Sequence, residues 1–153
     1  LERANLSCVK QLCTLMDALL PDENPPQETD QLEKVFIFCC IWSFGANLVG
    51  EDRDKFDQFL RSCSSILPPS SPYYDSIIDI SNQSWIPWKR KVEEYTPPED
   101  GKFAKILVPT EDTVKYSWLL EKVMGIKSPC LFVGESGTAK SVTIFSKLKT
   151  LDP

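Results

Sequence analysis

Histidine is absent from this chain of 153 residues, and no two cysteines form a C-x-x-C pair. The common zinc-binding spacings are therefore excluded. Six cysteines are present, but Cys39 and Cys40 are adjacent, Cys8 and Cys13 lie five apart, and Cys63 and Cys130 stand alone. Several fall at apolar helix positions, where cysteine behaves as a small hydrophobe. Reduced thiols in a reducing, cytosolic compartment are the expectation. Basic residues are in deficit, 17 against 22 acidic, for a net charge of -5. That balance argues against nonspecific nucleic-acid binding, which needs basic surface. No apolar run reaches the roughly 20 residues that span a bilayer. The longest, "VFIFCCIWSFGANLV" at 35–49, predicts a buried helix rather than a membrane segment. Glycine is scarce, 6 against 12 prolines, which suggests rigid connectors. An initiator Met, a signal peptide, internal repeats and low-complexity tracts are all missing, and the chain reads as a piece of something longer.

What is present divides at proline. Residues 3–20 carry an amphipathic pattern, with Leu6, Val9, Cys13, Met16 and Leu20 stepping by three and four and Leu12 and Leu19 widening the stripe. "PDENPPQET" breaks it. A second helix is predicted from Asp30, with Asp30 and Glu33 spaced as a capping box. It is apolar on every side through Val35, Phe36, Phe38, Ile41, Trp42 and Phe44, and Gly50 is its expected end. A third helix places Phe56, Phe59, Leu60 and Cys63 on one face, and Glu51, Asp52, Arg53 and Asp57 on the other. "SSILPPSSP", residues 64–72, predicts a connector. "YYDSIIDIS" and "SWIPWKRKVEEY" then read as a hairpin turning at "SNQS", with Pro87 marking an edge strand. Lys89, Arg90 and Lys91 suit phosphate or an acidic surface, but Glu93 and Glu94 follow at once, and a solvated strand end is the plainer reading.

The last third opens with another break, "TPPEDG", followed by "FAKILVP". Thr110 is the expected N-cap of a helix with Glu111 and Asp112 in its first turn. Tyr116, Leu119, Leu120 and Val123 form its apolar stripe, and Gly125 its C-cap. "SPCLFV" predicts a strand buried on both faces, and "KSVTIFSKLK" a closing helix. The resulting expectation is a mixed α and β chain: a helical bundle at 1–63, a linker at 64–72, and a hairpin with a strand–loop–helix unit at 73–153.

Between that strand and helix lies Gly134, Glu135, Ser136, Gly137, Thr138, Ala139, Lys140 and Ser141. The phosphate-binding pattern is G-x-x-x-x-G-K-[ST] in this same setting. The spacing fits, but Ala139 replaces the second glycine. Such a loop turns its backbone N–H groups toward phosphates at a helix N-terminus. Gly134 and Gly137 are available for the sharpest bends. At position 139 a methyl group is cheap if the backbone is helical, and costs about 1 kcal/mol or more if φ is positive. Lys140 would neutralise the β- and γ-phosphates and Ser141 would reach Mg²⁺. Glu135 is tolerable there only if it points to solvent. The competing reading is a plain Gly/Ser turn joining strand to helix.

The stretches "FIFCCIWSFGANLVGEDRDKFDQFLR", "WIPWKRKVEEY", "ILVPTEDTVKYSWLL" and "CLFVGESGTAKSVTI" together resemble the dynein heavy chains, ATP-driven microtubule motors built on a ring of six AAA+ modules. The resemblance covers residues 32–148. It implies the helical lid of the second module followed by the start of the third, an incomplete AAA+ P-loop NTPase domain. "GESGTAKS" is similar to the third-module loop of axonemal dyneins rather than cytoplasmic ones. It further implies that Gly134 to Ser141 hold the phosphates of ATP or ADP with Mg²⁺ at Ser141, and that Leu107, Val108 and Pro109 lie near the adenine. The implied partners are neighbouring modules of the same heavy chain, intermediate and light chains, and microtubules, with no nucleic acid and no membrane. The implied location is cytoplasm, cytoskeleton and ciliary axoneme. Hydrolysis also needs an acidic Mg²⁺ ligand, a water-positioning residue and an arginine. The resemblance places these beyond Pro153, so no catalytic residue is expected in this chain. Two functions stay open: a nucleotide-binding piece of a motor, and a structural linker between ring subdomains whose loop holds no ligand.

Overall fold

The computed structural model describes residues 5–20, 26–79, 82, 84–95 and 108–150. The chain forms two units, Leu1–Pro87 and Trp88–Pro153. Among the described residues, five α-helices and one two-stranded antiparallel hairpin make the mixed class that the pattern predicts.

The first unit contains α1 (Asn5–Leu19), α2 (Thr29–Cys40), a π-helical turn at Ile41–Gly45, α3 (Glu51–Cys63), β1 (Ser76–Asp79) and β2 (Ser84–Pro87). Helix α1 buries Leu15 and Leu19 while Leu6, Val9 and Cys13 stay exposed, so the core stripe is narrower than the sequence suggested. Helix α2 and its π turn bury Val35, Ile37, Phe38, Cys39, Ile41 and Trp42, whereas Phe36 is exposed and Phe44 half-buried. The π turn coincides with Ser43, whose Oγ donates to the Cys39 carbonyl at 2.6 Å. A hydroxyl competing for a helix carbonyl loosens the regular ladder at that point. The expected Asp30/Glu33 capping box does not form. The N-cap is Glu28, which makes no side-chain cap bond. Glu33 instead accepts a hydrogen bond from Ser64 Oγ. Gly50 does not end α2 either; with φ of 54° it precedes α3 as its N-cap.

Helix α3 departs most from the sequence reading. Phe59 is 60% exposed and Cys63 is exposed, while Asp57, placed on the outer face, is only 4% exposed. Asp57 is buried because residues 64–73, part of the same unit, bond back to it. The Asp57 carboxylate accepts from Ser71 Oγ at 2.7 Å and from the Tyr73 N–H at 3.0 Å. Trp85 Nε1 donates to the Ile66 carbonyl at 3.2 Å. The units accordingly divide after Pro87, whereas proline content alone had suggested a break at 64–72. The hairpin pairs Ile77 with Ile86 and Ile78 with Trp85. Asn82 Oδ1 accepts from Ser84 N and Oγ at its turn.

Gly45 matters by its size. A Cβ there would lie 2.7 Å from Phe56 Cε1 and 2.9 Å from Cδ1. Gly45→Ala must therefore push the Phe56 ring out of place. We expect it to lower the unfolding free energy by about 1–3 kcal/mol in a urea titration.

Burial pushes the Cys39 thiol up to about 12, with neighbouring Cys40 adding to the shift, and pushes Cys40 up to about 11. An acid whose pKa is raised by folding stabilises the fold below its unfolded pKa, and that stability is lost as pH rises through the folded value. The urea midpoint should hold up to about pH 8.5, the ordinary thiol range, then fall. Cys39 alone should account for about 1–2 kcal/mol by pH 10, and Cys39→Ala should flatten the decline.

Candidate functional site

The second unit holds a 3-10 turn at Trp88–Lys91, then α4 (Glu111–Gly125) and α5 (Lys140–Leu148). Lys89, Arg90 and Lys91 are exposed, as a solvated segment would be. Thr110 caps α4 as expected: its Oγ1 accepts from Thr113 N at 3.2 Å, and Thr113 Oγ1 accepts from Thr110 N at 2.8 Å. Gly125 remains helical, and the left-handed residue is Lys127 with φ of 56°. Lys127 N bonds the Met124 carbonyl and Ser128 N the Val123 carbonyl, the two bonds of a Schellman ending. Leu120 is buried and Leu119 and Val123 are half-buried, but Tyr116 is exposed and Lys115 is buried in its stead. Trp118 meets Trp88 edge to face at 5.7 Å.

The run "SPCLFV" is not a buried strand. Leu131 is 88% and Val133 83% exposed, and no strand pairs with the run among the described residues. An apolar run is buried only where neighbouring elements cover it, and none of the described elements covers Leu131 or Val133.

The loop that follows has a definite geometry. Gly137 adopts φ of 82°, a region open to glycine. Ala139, the N-cap of α5, adopts φ of 57° and ψ of 10°. The left-handed alternative therefore holds at position 139, in a conformation that L-residues other than glycine avoid. Gly134 is not in that region; its contribution is space, since a Cβ there would lie 3.3 Å from Thr138 Oγ1 and 3.8 Å from Lys140 Nζ. Lys140 Nζ donates to the Gly134 carbonyl at 2.8 Å, to the Glu135 carbonyl, and to Thr138 Oγ1 at 3.0 Å. Glu135, Ser136 and Ser141 are exposed. Ala139 offers no side-chain cap, so the first N–H groups of α5 keep no partner from it. That end is polarised to receive an anion, with an ammonium group alongside. Ser141 stands exposed in the first turn of α5. Among the described residues no group of three His, Cys, Asp or Glu could hold a metal ion unaided.

A cavity of about 510 Å³ lies in the same unit. Pro109, Val114, Ser117 and Trp118 line it from the α4 side, and Thr143 and Ser146 from α5. Of the three residues expected near a base, Pro109 is there, Val108 is exposed and not in the lining, and Leu107 lies outside the described residues. None of Gly134 to Ser141 lines the cavity. Two supports went unnoticed in the sequence. Thr143 Oγ1 donates to the Ala139 carbonyl at 2.9 Å, and Lys147 pairs with Glu121 of α4. The Lys147 hydrogen bond holds the Glu121 carboxyl below its usual range. Thr143 and Lys147 are polar residues one turn apart on α5, but a lone chain gives no sign of what they meet.

The strain at Ala139 sets an expectation. Ala139→Gly should raise the unfolding free energy of the second unit by about 1 kcal/mol, read by urea unfolding. An unchanged midpoint would mean the left-handed peptide carries no strain.

Both halves of the chain have counterparts among known protein families. The family described as "Dynein heavy chain AAA lid domain" matches residues 2–90. The family described as "P-loop containing dynein motor region" matches residues 95–153. Among similar proteins, the Dynein-1-alpha heavy chain of the flagellar inner arm I1 complex of Chlamydomonas reinhardtii is 43% identical over 97% of this chain and 4% of its own length. Human dynein axonemal heavy chain 10 is 37% identical over 97% of this chain, and human dynein axonemal heavy chain 6 is 33% identical over 92%, each again over 4% of its own length. The chain thus spans about 4% of the length of these relatives.

Proposed function

The chain belongs to the dynein heavy chain family, and on that premise we propose that it contributes a nucleotide-binding loop to an axonemal motor ring. In this reading residues 2–90 are the lid of one AAA+ module, with the connection at 64–72 and the hairpin packed into it, and residues 95–153 the opening part of the next module. Gly134 to Ser141 cradle the phosphates of ATP or ADP, Lys140 supplies positive charge, and Ser141 a ligand to Mg²⁺. Leu107, Val108 and Pro109 approach the adenine. The bound nucleotide regulates the motor rather than driving it, and hydrolysis residues come from elsewhere in the heavy chain, so this chain alone is inactive. The parent is an ATP-hydrolysing, minus-end-directed microtubule motor of the ciliary axoneme, in the cytoplasmic cytoskeleton. Its partners are neighbouring modules of the same heavy chain, intermediate and light chains, and microtubules.

One observation carries the reading. The backbone bends at Gly137 and Ala139, immediately before a helix N-terminus, with the Lys140 ammonium inside the loop. This arrangement supports phosphate binding far better than a plain turn, which has no use for a left-handed alanine. The second reading, a structural linker with an unliganded loop, is favoured by the same ammonium being satisfied by the loop's own oxygens.

Calorimetric titration of Mg-ADP and Mg-ATP into the chain, beside Lys140→Ala, decides between them. We expect micromolar binding that Lys140→Ala weakens at least tenfold, equivalent to about 1.4 kcal/mol, and no turnover by either protein. Binding that Lys140→Ala leaves intact would count against the loop as the phosphate site.

A further inference from the structure

An ammonium group has three N–H donors. In this loop Lys140 commits all of them internally: to the Gly134 carbonyl, the Glu135 carbonyl and Thr138 Oγ1. An arriving phosphate can bond Lys140 only by displacing one of these acceptors. Two are backbone carbonyls, which any sequence would offer at this geometry. The third is a side chain, and so particular to this loop. Thr138 is itself fixed, because its Oγ1 donates to the Glu135 carbonyl at 2.8 Å. The absence of a Cβ on Gly134 leaves the space that Thr138 and Lys140 share.

We propose that Thr138 is a latch: its hydroxyl holds the Lys140 ammonium inside the empty loop and so opposes anion binding at that loop. The inference rests on the phosphate-loop reading above. The latch makes occupancy conditional: the loop is closed on itself until nucleotide arrives at a concentration that outcompetes the Thr138 bond. It also helps to keep Ala139 in the left-handed region when no phosphate is there, because the residues on either side of Ala139 are tied to each other. The Thr138 methyl and hydroxyl are nearly the size of the two valine methyls, so valine removes the acceptor while keeping the shape.

Two measurements on Thr138→Val, with Thr138→Ala as a second variant, test this. The first is titration with Mg-ADP. A net hydrogen bond of about 0.5–1.5 kcal/mol corresponds to a factor of about two to ten. Binding tighter than the unsubstituted chain by such a factor is the expected result. Equal or weaker binding by both variants overturns the latch and leaves the phosphate reading standing. No binding by any of the three proteins overturns the phosphate reading, and the latch's opposition to an anion falls with it. The second is the nitrogen-15 resonance of the Lys140 ammonium in the ligand-free chain. Its protons should be protected from solvent exchange in the unsubstituted chain and lose that protection in Thr138→Val. Protection that survives the substitution overturns the latch whatever the titration gives.

Discussion

A loop that bends through two residues of positive φ must hold itself together by its own hydrogen bonds. Lys140 is where that constraint is met. Its ammonium needs three acceptors, and it draws Gly134, Glu135 and Thr138 into one small ring. The neighbouring residues follow from that closure. A Cβ on Gly134 would press on Thr138 Oγ1 at 3.3 Å, so the ring closes most easily around a glycine there. Gly137 takes a positive φ, and Ala139 is driven into the left-handed region just before the helix. Thr143 then ties the Ala139 carbonyl by both its N–H and its hydroxyl. Strain of order 1–3 kcal/mol at such a residue persists only where the surroundings over-determine it. Here they do so from both sides of the peptide.

Much of this was legible in the sequence because it is local chemistry. The Thr110 cap, the closing helix at Lys140 and the order of loop residues all depend on neighbours within a few positions. The conformation of Ala139 was not legible. Alanine is the best helix former, and its left-handed conformation here goes with the Lys140 ring on one side and Thr143 on the other. Glu33 was misread for a related reason. A carboxylate three residues after Asp30 matches a capping box, but Ser64, distant in sequence, takes it. Asp57 was placed on the wrong face because a charged residue reads as solvated unless its partners are visible. Ser71 and Tyr73 lie 14 and 16 residues away. The run at 128–133 failed differently. Its apolar character describes what would bury it, and burial depends on elements outside the run itself.

The first unit shows the same principle from the packing side. A buried carboxylate is costly without hydrogen-bonding partners. Asp57 meets that demand by collecting the Ser71 hydroxyl and the Tyr73 amide, which fixes where the Ser/Pro stretch returns to the helices. Tyr73 and Tyr74 are thereby seated in the core, and Tyr74 packs on Trp42 at 4.5 Å with the rings tilted by 38° and the Arg53 guanidinium 4.5 Å from the Tyr74 ring. Arg53 also donates to the Leu48 carbonyl at 2.8 Å. The chain emerging from the π turn is thus tied to α3 by the residue that the helical pattern had assigned to solvent. A stretch rich in serine and proline becomes structure here because one carboxylate needs it.

The loop keeps its shape although the run at 128–133 that leads into it forms no strand among the described residues. Leu131 and Val133 stand uncovered, yet the loop keeps its left-handed peptide and its ring of hydrogen bonds. Its support comes from the other direction. Helix α4 is fixed at its start by the Thr110–Thr113 box and at its end by the Lys127 turn. Glu121 of α4 pairs with Lys147 of α5, so the helix that carries the loop is held by one whose own ends are set. Lys140 and Lys147 lie on the same helix, one closing the loop and the other docking the helix. Both are cations doing the work of short-range positioning. The two cations are separate: Lys140 bonds only within the loop, and Lys147 bonds only to α4 among the contacts described.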